Sequence, residues 1–156
     1  MKNYMKNRDE MKTGDIIEWR STKLLGNLIR FFTKADVNHT SFVFRIDEYL
    51  GMKNNVYIIE ALGDGLVINR RPSSLKNYAG VAFWYPLRKD YEYARDDMAS
   101  FAFNELTRGV GYDYGSLLRQ VSSKVSVDAK KYFCSEFEHA ILIKAGLTEA
   151  KADAIR

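Results

Sequence analysis

One cysteine and two histidines are all that the 156-residue chain offers for thiol or imidazole chemistry. Cys134 stands in "YFCSEFEHA" (132–140), at or one residue before the start of an expected helix. Ser135 and Glu138 match the S-x-x-E capping pattern that would set the boundary there. Exposed N–H groups and the helix dipole at such a terminus favour the thiolate, which is the reactive form of cysteine. A free thiol titrates near about 8.5, so little of it is ionised at neutral pH without such help. The bland alternative is a small buried hydrophobe, a common fate of single cysteines.

A thiolate nucleophile needs a base or ion-pair partner, and histidine is the usual one. His39 opens the alternating run "HTSFVFRID" (39–47). In a strand, His39, Ser41, Val43 and Arg45 share one face, while Thr40, Phe42, Phe44 and Ile46 share the other. A histidine at a strand start, turned away from the phenylalanines, could reach a neighbouring helix end. His139 lies five residues past Cys134, about 140° around the same helix, and is expected to be structural. Glu60 in "YIIEA" places a carboxylate in an apolar strand, where it is costly to bury without a partner. A carboxylate that accepts from a histidine Nδ1–H fixes the tautomer and steadies the imidazolium. A strand-exit residue meeting water is the equally plain reading of Glu60.

The elements that must hold these residues can be read from periodicity. Strands are expected over 14–20, 39–47, 55–62, 66–70 and 80–87, with "GDG" (63–65) turning a hairpin. Helices are expected over 21–33, 90–107, 112–123 and 134–146. Apolar residues at 94, 98, 101, 102 and 106 stripe one helix; Phe137, Ala140, Ile141 and Ala145 stripe another, with Gly146 as its C-terminal cap. The order predicts an α+β domain, an antiparallel sheet with helices packed on one side.

The totals set outer bounds. The length fits one domain, assigned to 11–156, after a flexible extension over 1–10. A 46% hydrophobic and 28% charged composition describes a globular chain rather than a disordered one. The first fifteen residues contain no apolar h-region, and with a single cysteine this points to the cytoplasm. The net charge of +4 could draw an anionic partner. No basic stripe or aromatic RNA-binding motif accompanies it, which argues against nucleic acid. One cysteine and two widely spaced histidines make no zinc pattern, and neither phosphate-loop nor dinucleotide signatures occur, so no metal or cofactor is expected.

Taken in order, "GDII" (14–17), "NHTSFVF" (38–44), "YIIEA" (57–61), "GYDY" (111–114) and "YFCSEF" (132–137) resemble the circularly permuted NlpC-type papain-like hydrolases, specifically the YiiX/YaeF-like amidase group. The similarity spans roughly residues 11 to 147. It implies a permuted papain-like fold, an antiparallel sheet or partial barrel packed against helices. It implies Cys134 as nucleophile, His39 as base and Glu60 as the orienting residue, with the backbone N–H of Cys134 meeting the oxyanion. Tyr112, Tyr114 and Ser135 are candidates for the substrate pocket. Many members follow the histidine with a small hydrophobic residue and a glycine; Thr40-Ser41 stands there in this chain.

The function so implied is a cysteine amidase or peptidase acting on a small peptide or acylated amide. A second class is a lipid acyltransferase or esterase like lecithin retinol acyltransferase, whose Asn-Cys-Glu-His pattern differs from Phe133-Cys134-Ser135-Glu136 here. The positive charge and "LLGNLIRFF" (24–32) could serve contact with a lipid or membrane surface. A third is a catalytically silent binding module on the same fold.

Overall fold

The computed structural model describes residues 6–23, 27, 31, 35–46, 55–62, 65–70, 78–109, 111–112, 131–132 and 134–148. Five strands form one antiparallel sheet: β1 (Ile16–Ser21), β2 (His39–Arg45), β3 (Val56–Leu62), β4 (Gly65–Arg70) and β5 (Gly80–Tyr85). Their spatial order is β4-β3-β2-β1-β5, which leaves β4 and β5 as edges. A 3-10 segment, Lys89–Ala94, leads into α1 (Arg95–Thr107). The short parallel pair β6 (Gly111–Tyr112) and β7 (Lys131–Tyr132) precedes α2 (Cys134–Lys144). The helix expected over 21–33 is corrected at its start, where Ser21 still belongs to β1 and residues 22–23 are not helical; of 24–33 only residues 27 and 31 are described, and both are helical. The expected helix over 112–123 lies outside the described residues apart from Tyr112, which is in β6.

Alternation in the strands divides the sheet into two buried faces. The register places Ile16 beside Phe42 and Phe42 beside Ile59. On that face Phe42, Ile59, Ala61 and Leu66 pack under Ala94, Met98 and Ala102 before and along α1, and under Phe137, Ile141 and Ala145 of the α2 region. These are the stripes that helical spacing demands. Burial of each such side chain contributes on the order of 1.5–3 kcal/mol. The opposite face carries a second core of Met11, Ile17, Trp19, Val43, Val56 and Ile58, flanked by Tyr78, Ala82 and Trp84. The sheet is thus covered on both sides, with helices on one.

Element ends differ from the periodicity where a local hydrogen bond decides. β5 stops at Tyr85 rather than 87, because Pro86 has no N–H and the Leu87 N–H goes to Asp15 Oδ1 at 3.1 Å. The helix expected from 90 starts as a 3-10 turn, since Arg88 at its N-cap supplies no capping side chain. Helix α2 closes as the sequence requires. Gly146 has φ +69, its N–H bonds the Ile143 carbonyl, and the Leu147 N–H reaches back to Leu142 at 2.9 Å, a Schellman pattern.

Candidate functional site

His39 is the first residue of β2, and its ring lies on the same sheet face as Ser41. Its Nε2 sits 2.8 Å from Glu60 Oε2 on β3. An ionised carboxylate only accepts, so Nε2 carries the ring proton in this pair. The expected contact through Nδ1 is corrected: Nε2, the nitrogen farther from the backbone, spans the diagonal to the next strand. That leaves Nδ1 as the second nitrogen. Glu60 Oε1 also accepts from Asn69 Nδ2 at 2.9 Å on β4. Ser41 Oγ donates to Glu60 Oε2 at 3.3 Å, and the Trp19 indole N–H donates to Ser41 Oγ at 2.6 Å. Glu60 is therefore no strand-exit residue; its side chain is only 7% exposed.

Cys134 begins α2 and is half-buried. The helix is pinned to the sheet at its first residue, since Thr40 Oγ1 donates to the Cys134 carbonyl at 3.2 Å. Thr40 is the neighbour of His39, so one bond ties the Cys134 and His39 positions together. Burial by itself would push the Cys134 thiol up. Hydrogen bonding to His39, the charge of His39 and the backbone N–H groups of Thr40 and Ser135 outweigh burial and hold it below the ordinary thiol value. Burial would likewise depress the His39 imidazole, but its bonds to Cys134 and Glu60, with their charges, raise it to about 9. Glu60, which burial would raise, is lowered by His39, Asn69 and Ser41. All three directions favour a thiolate–imidazolium pair backed by a carboxylate.

The remaining sequence candidates fare differently. Helix α2 starts at Cys134, so Ser135 lies inside the first turn, exposed, rather than at the cap. The S-x-x-E capping box is not formed: Glu138 is turned inward, and neither of its carboxyl oxygens finds a hydrogen-bond partner among the described residues. Tyr112 belongs to β6, which lies beside β3 and β4, but its side chain is outside the described residues, as is all of Tyr114. His39, not His139, is the histidine that acts on Cys134.

Ser41, Asn69 and Trp19 escaped the sequence reading. Ser41 carried a signal, since alternation puts it on the His39 face. Asn69 and Trp19 carried none, because their approach to Glu60 depends on the five-strand register.

A cavity of about 830 Å³ lies toward the other end of β2, lined by Lys12, Phe44, Arg45, Arg95 and Phe103 among others. None of Cys134, His39 or Glu60 lines it. Its cations are engaged: Arg45 donates to the Arg8 and Met11 carbonyls, and Arg95 to Asp15 and Glu92. Among the described residues no three His, Cys, Asp or Glu side chains converge as a metal site. Nor, among them, is any helix long and apolar enough to cross a membrane.

No protein-family profile matches the chain, and no curated protein does. A solved structure does: the metalloprotein YiiX of Escherichia coli O157:H7, DUF1105, is 20% identical with a TM-score of 0.63. The match covers 86% of this chain but 66% of that one, so this chain spans about two thirds of its length. The sheet of five antiparallel strands with its two helices is thus an α+β arrangement similar to the YiiX fold.

Proposed function

We propose that the protein is a thiol hydrolase of the amidase or peptidase type, on a circularly permuted papain-like fold in which base and carboxylate precede the nucleophile in the chain. The observation that carries this reading is the imidazole of His39, bonded to buried Glu60 on one side and acting on a thiol at a helix N-terminus on the other. The Cys134 thiolate attacks the carbonyl carbon of a small peptide or acylated amide. The C–N bond breaks, and the His39 imidazolium gives its proton to the leaving amine. Water then adds to the thioester while His39 takes a proton from it; the C–S bond breaks, releasing the acid and restoring the thiolate–imidazolium pair. The carbonyl oxygen, negative in both tetrahedral states, is met by backbone N–H groups at the start of α2. Glu60 stays ionised throughout and holds the ring in one orientation.

The similar structure is named a metalloprotein; among the described residues here no three His, Cys, Asp or Glu side chains converge as a metal site, and the steps proposed are carried by Cys134, His39 and Glu60. Intact-mass trapping tests the reading. Incubation with fluorogenic acyl amides is expected to leave one acyl group on Cys134 and to release the amine. Cys134→Ala is expected to lose both signals. Release of amine by Cys134→Ala at the wild-type rate would overturn the proposal.

One observation favours a second reading, acyl transfer from lipid. Val81, Phe83 and Tyr85 are exposed together on one side of edge strand β5, and Phe83 pairs with Glu18, which in turn pairs with Thr40. An exposed apolar row therefore lies on the Thr40 face of the sheet, with Glu18 between the row and Thr40. Co-sedimentation with vesicles, coupled to release of fatty acid, separates this from the amide reading.

A further inference from the structure

Strand β5 is an edge of the sheet, and one side of its backbone is open. The Trp19 carbonyl on β1 accepts from the Asn38 N–H at 2.9 Å, so Trp19 turns its backbone toward β2. Backbone groups alternate sides along a strand, so Glu18 and Arg20 turn theirs toward β5, where they pair with Phe83 and Val81. The Thr22 N–H, which meets the Ala79 carbonyl at 2.8 Å, keeps the same alternation. Ala82 and Trp84 therefore point their N–H and C=O groups away from β1. Nothing among the described residues takes them, and only β1 runs along β5 there.

Exposed edges are usually blunted by a charge, a proline or a bulge. The six residues Gly80–Tyr85 carry no charge and no proline, and their register with β1 is unbroken. The opposite edge, β4, ends in Arg70 and packs against β6. β5 is also held ready, by Thr22 at one end and by the Leu87 N–H and Trp84 indole on Asp15 at the other. A strand so fixed loses little freedom when another pairs with it. Beside the open edge, Val81, Phe83 and Tyr85 form an exposed row on one face. Exposed cations flank the row. Arg20 lies opposite Val81 with Lys23 beyond it, and Lys89 follows the other end; none of the three is in an ion pair among the described residues.

We propose that the β5 edge docks an extended segment of another polypeptide, apolar at alternate positions and acidic at its flanks, as a sixth strand of the sheet. Its main chain pairs with Ala82 and Trp84, its apolar side chains cover the row, and its acids meet Arg20, Lys23 and Lys89. A second copy of the chain fits less well. Antiparallel pairing of two β5 strands sets Arg20 and Lys23 of one at Lys89 of the other, like charge against like. A lipid surface would cover the row but leave the edge N–H and C=O groups without partners. The inference goes beyond the hydrolase reading and does not depend on it.

Fluorescence anisotropy with the full chain tests this. The probe is a fluorescein-labelled peptide, Glu-Glu-Val-Thr-Val-Thr-Val-Glu-Glu, whose threonine N–H groups would face β5 while its valines meet the row. Saturable binding is expected. N-methylation of both threonines removes the facing donors and is expected to weaken binding by about tenfold or more. Lysines in place of the glutamates are expected to weaken it by about tenfold at low salt and by less at high salt. Phe83→Lys adds the guard that the strand lacks, and is expected to bind about tenfold or more weakly with its thermal midpoint kept. Ala82→Pro removes one outward N–H, leaves the ladder to β1 whole, and is expected to match that loss. If Ala82→Pro does not fold, Phe83→Lys and the methylated peptide still decide. Absence of binding overturns the proposal, as does equal affinity for the plain and methylated peptides. A dimer of the free chain that Phe83→Lys dissolves would give the edge to a second copy and overturn it too, as would binding to anionic phospholipid vesicles that Phe83→Lys abolishes. Cys134→Ala is expected to bind the probe as wild type does, so this proposal and the hydrolase reading can fail separately.

Discussion

Two buried carboxylates, Asp15 and Glu60, organise the two ends of the sheet, and their partners make them different devices. Asp15 is 1% exposed and accepts from the backbone N–H groups of Lys12 and Leu87, from the Trp84 indole and from Arg95 Nη1. Every partner is a fixed donor, and the one cation does not titrate in the working range. Glu60 accepts from Asn69, Ser41 and His39. Its cation is an imidazole that can lose its proton and that acts on a thiol. The same economy of a buried, fully bonded carboxylate thus gives a clamp in one place and, in the function proposed, a proton-handling relay in the other. The backbone follows the clamp: Gly14 beside Asp15 has φ +95, and a Cβ there would stand 3.2 Å from Arg95 Nη1.

Breaking the clamp is expected to have the largest effect on stability. Asp15→Ala leaves the Trp84 indole, the Lys12 and Leu87 N–H groups and Arg95 Nη1 without their acceptor, while Arg95 keeps Glu92; each buried donor so orphaned costs about 1–3 kcal/mol. Urea unfolding reads it as a lower midpoint with the slope retained. Alkylation of Cys134 in the molecules that remain folded is expected to hold, since Asp15 does not touch the thiol. A folded Asp15→Ala protein with a slow thiol would erase the distinction between the two carboxylates.

Glu60→Gln is the converse. The amide keeps its size and can still accept from His39, so the cost in unfolding free energy is expected to be smaller, about 1–2 kcal/mol. The imidazolium loses its countercharge. A fall of one to two units from about 9 makes the imidazolium about 10- to 100-fold less stable against neutral imidazole, and the thiolate it supports is expected to alkylate more slowly from neutrality upward. If Glu60→Gln loses stability on the scale of Asp15→Ala with reactivity intact, Glu60 is a second clamp.

The pH dependence sharpens the contrast. His39 is raised to about 9, so its contribution to stability is full below the unfolded histidine value near about 6.5 and is lost as pH climbs through 9. Cys134 is lowered, and its contribution is present above the unfolded thiol value near about 8.5 and lost as pH falls through the folded one. Between about 6.5 and 8.5 the unfolded groups hold one proton, on the thiol, and a folded thiolate–imidazolium pair also holds one, on the imidazole, so the joint contribution is flat wherever that pair is formed. It falls on both sides. The difference in unfolding free energy between wild type and a His39→Ala, Cys134→Ala double variant is expected to trace that plateau. The same difference for an Arg95→Ala variant should stay level through pH 9, because Arg95 keeps its proton.

Much of this was legible in the residues, and the limits follow from distance. Strand period two put His39 and Ser41 on one face, and burial cost singled out Glu60; both are local properties. The helix stripes over 94–106 and 137–145 were likewise local. Asp15 was visible only as the second letter of "GDII", because its partners Trp84, Leu87 and Arg95 lie 69, 72 and 80 positions away. Glu138 shows the opposite failure. A local pattern, S-x-x-E, indicated a cap, while packing of α2 over Thr40 turned the carboxyl inward. Propensity proposes a partner within the turn, and tertiary burial decides otherwise.

The smallest expected effect tests how far the relay extends. Ser41 Oγ has one proton, and the Trp19 indole N–H, 2.6 Å away, occupies one of its lone pairs. With that side taken, the hydroxyl proton turns to Glu60 Oε2 at 3.3 Å. Trp19→Phe removes the indole donor but keeps an aromatic ring against Tyr78, whose centroid lies 4.8 Å away in the wild type. Ser41 then loses its directing partner, and Glu60 loses part of one of the bonds that lower its pKa. The expected result is a two- to threefold slower alkylation, about 0.5 kcal/mol, alongside a larger loss of stability of about 1–3 kcal/mol from the lost volume and bond. Ser41→Ala should reproduce the slower alkylation, and the two changes together should not slow it further, because both cut the same bond. Additive slowing would mean that Trp19 acts on the site through packing rather than through Ser41.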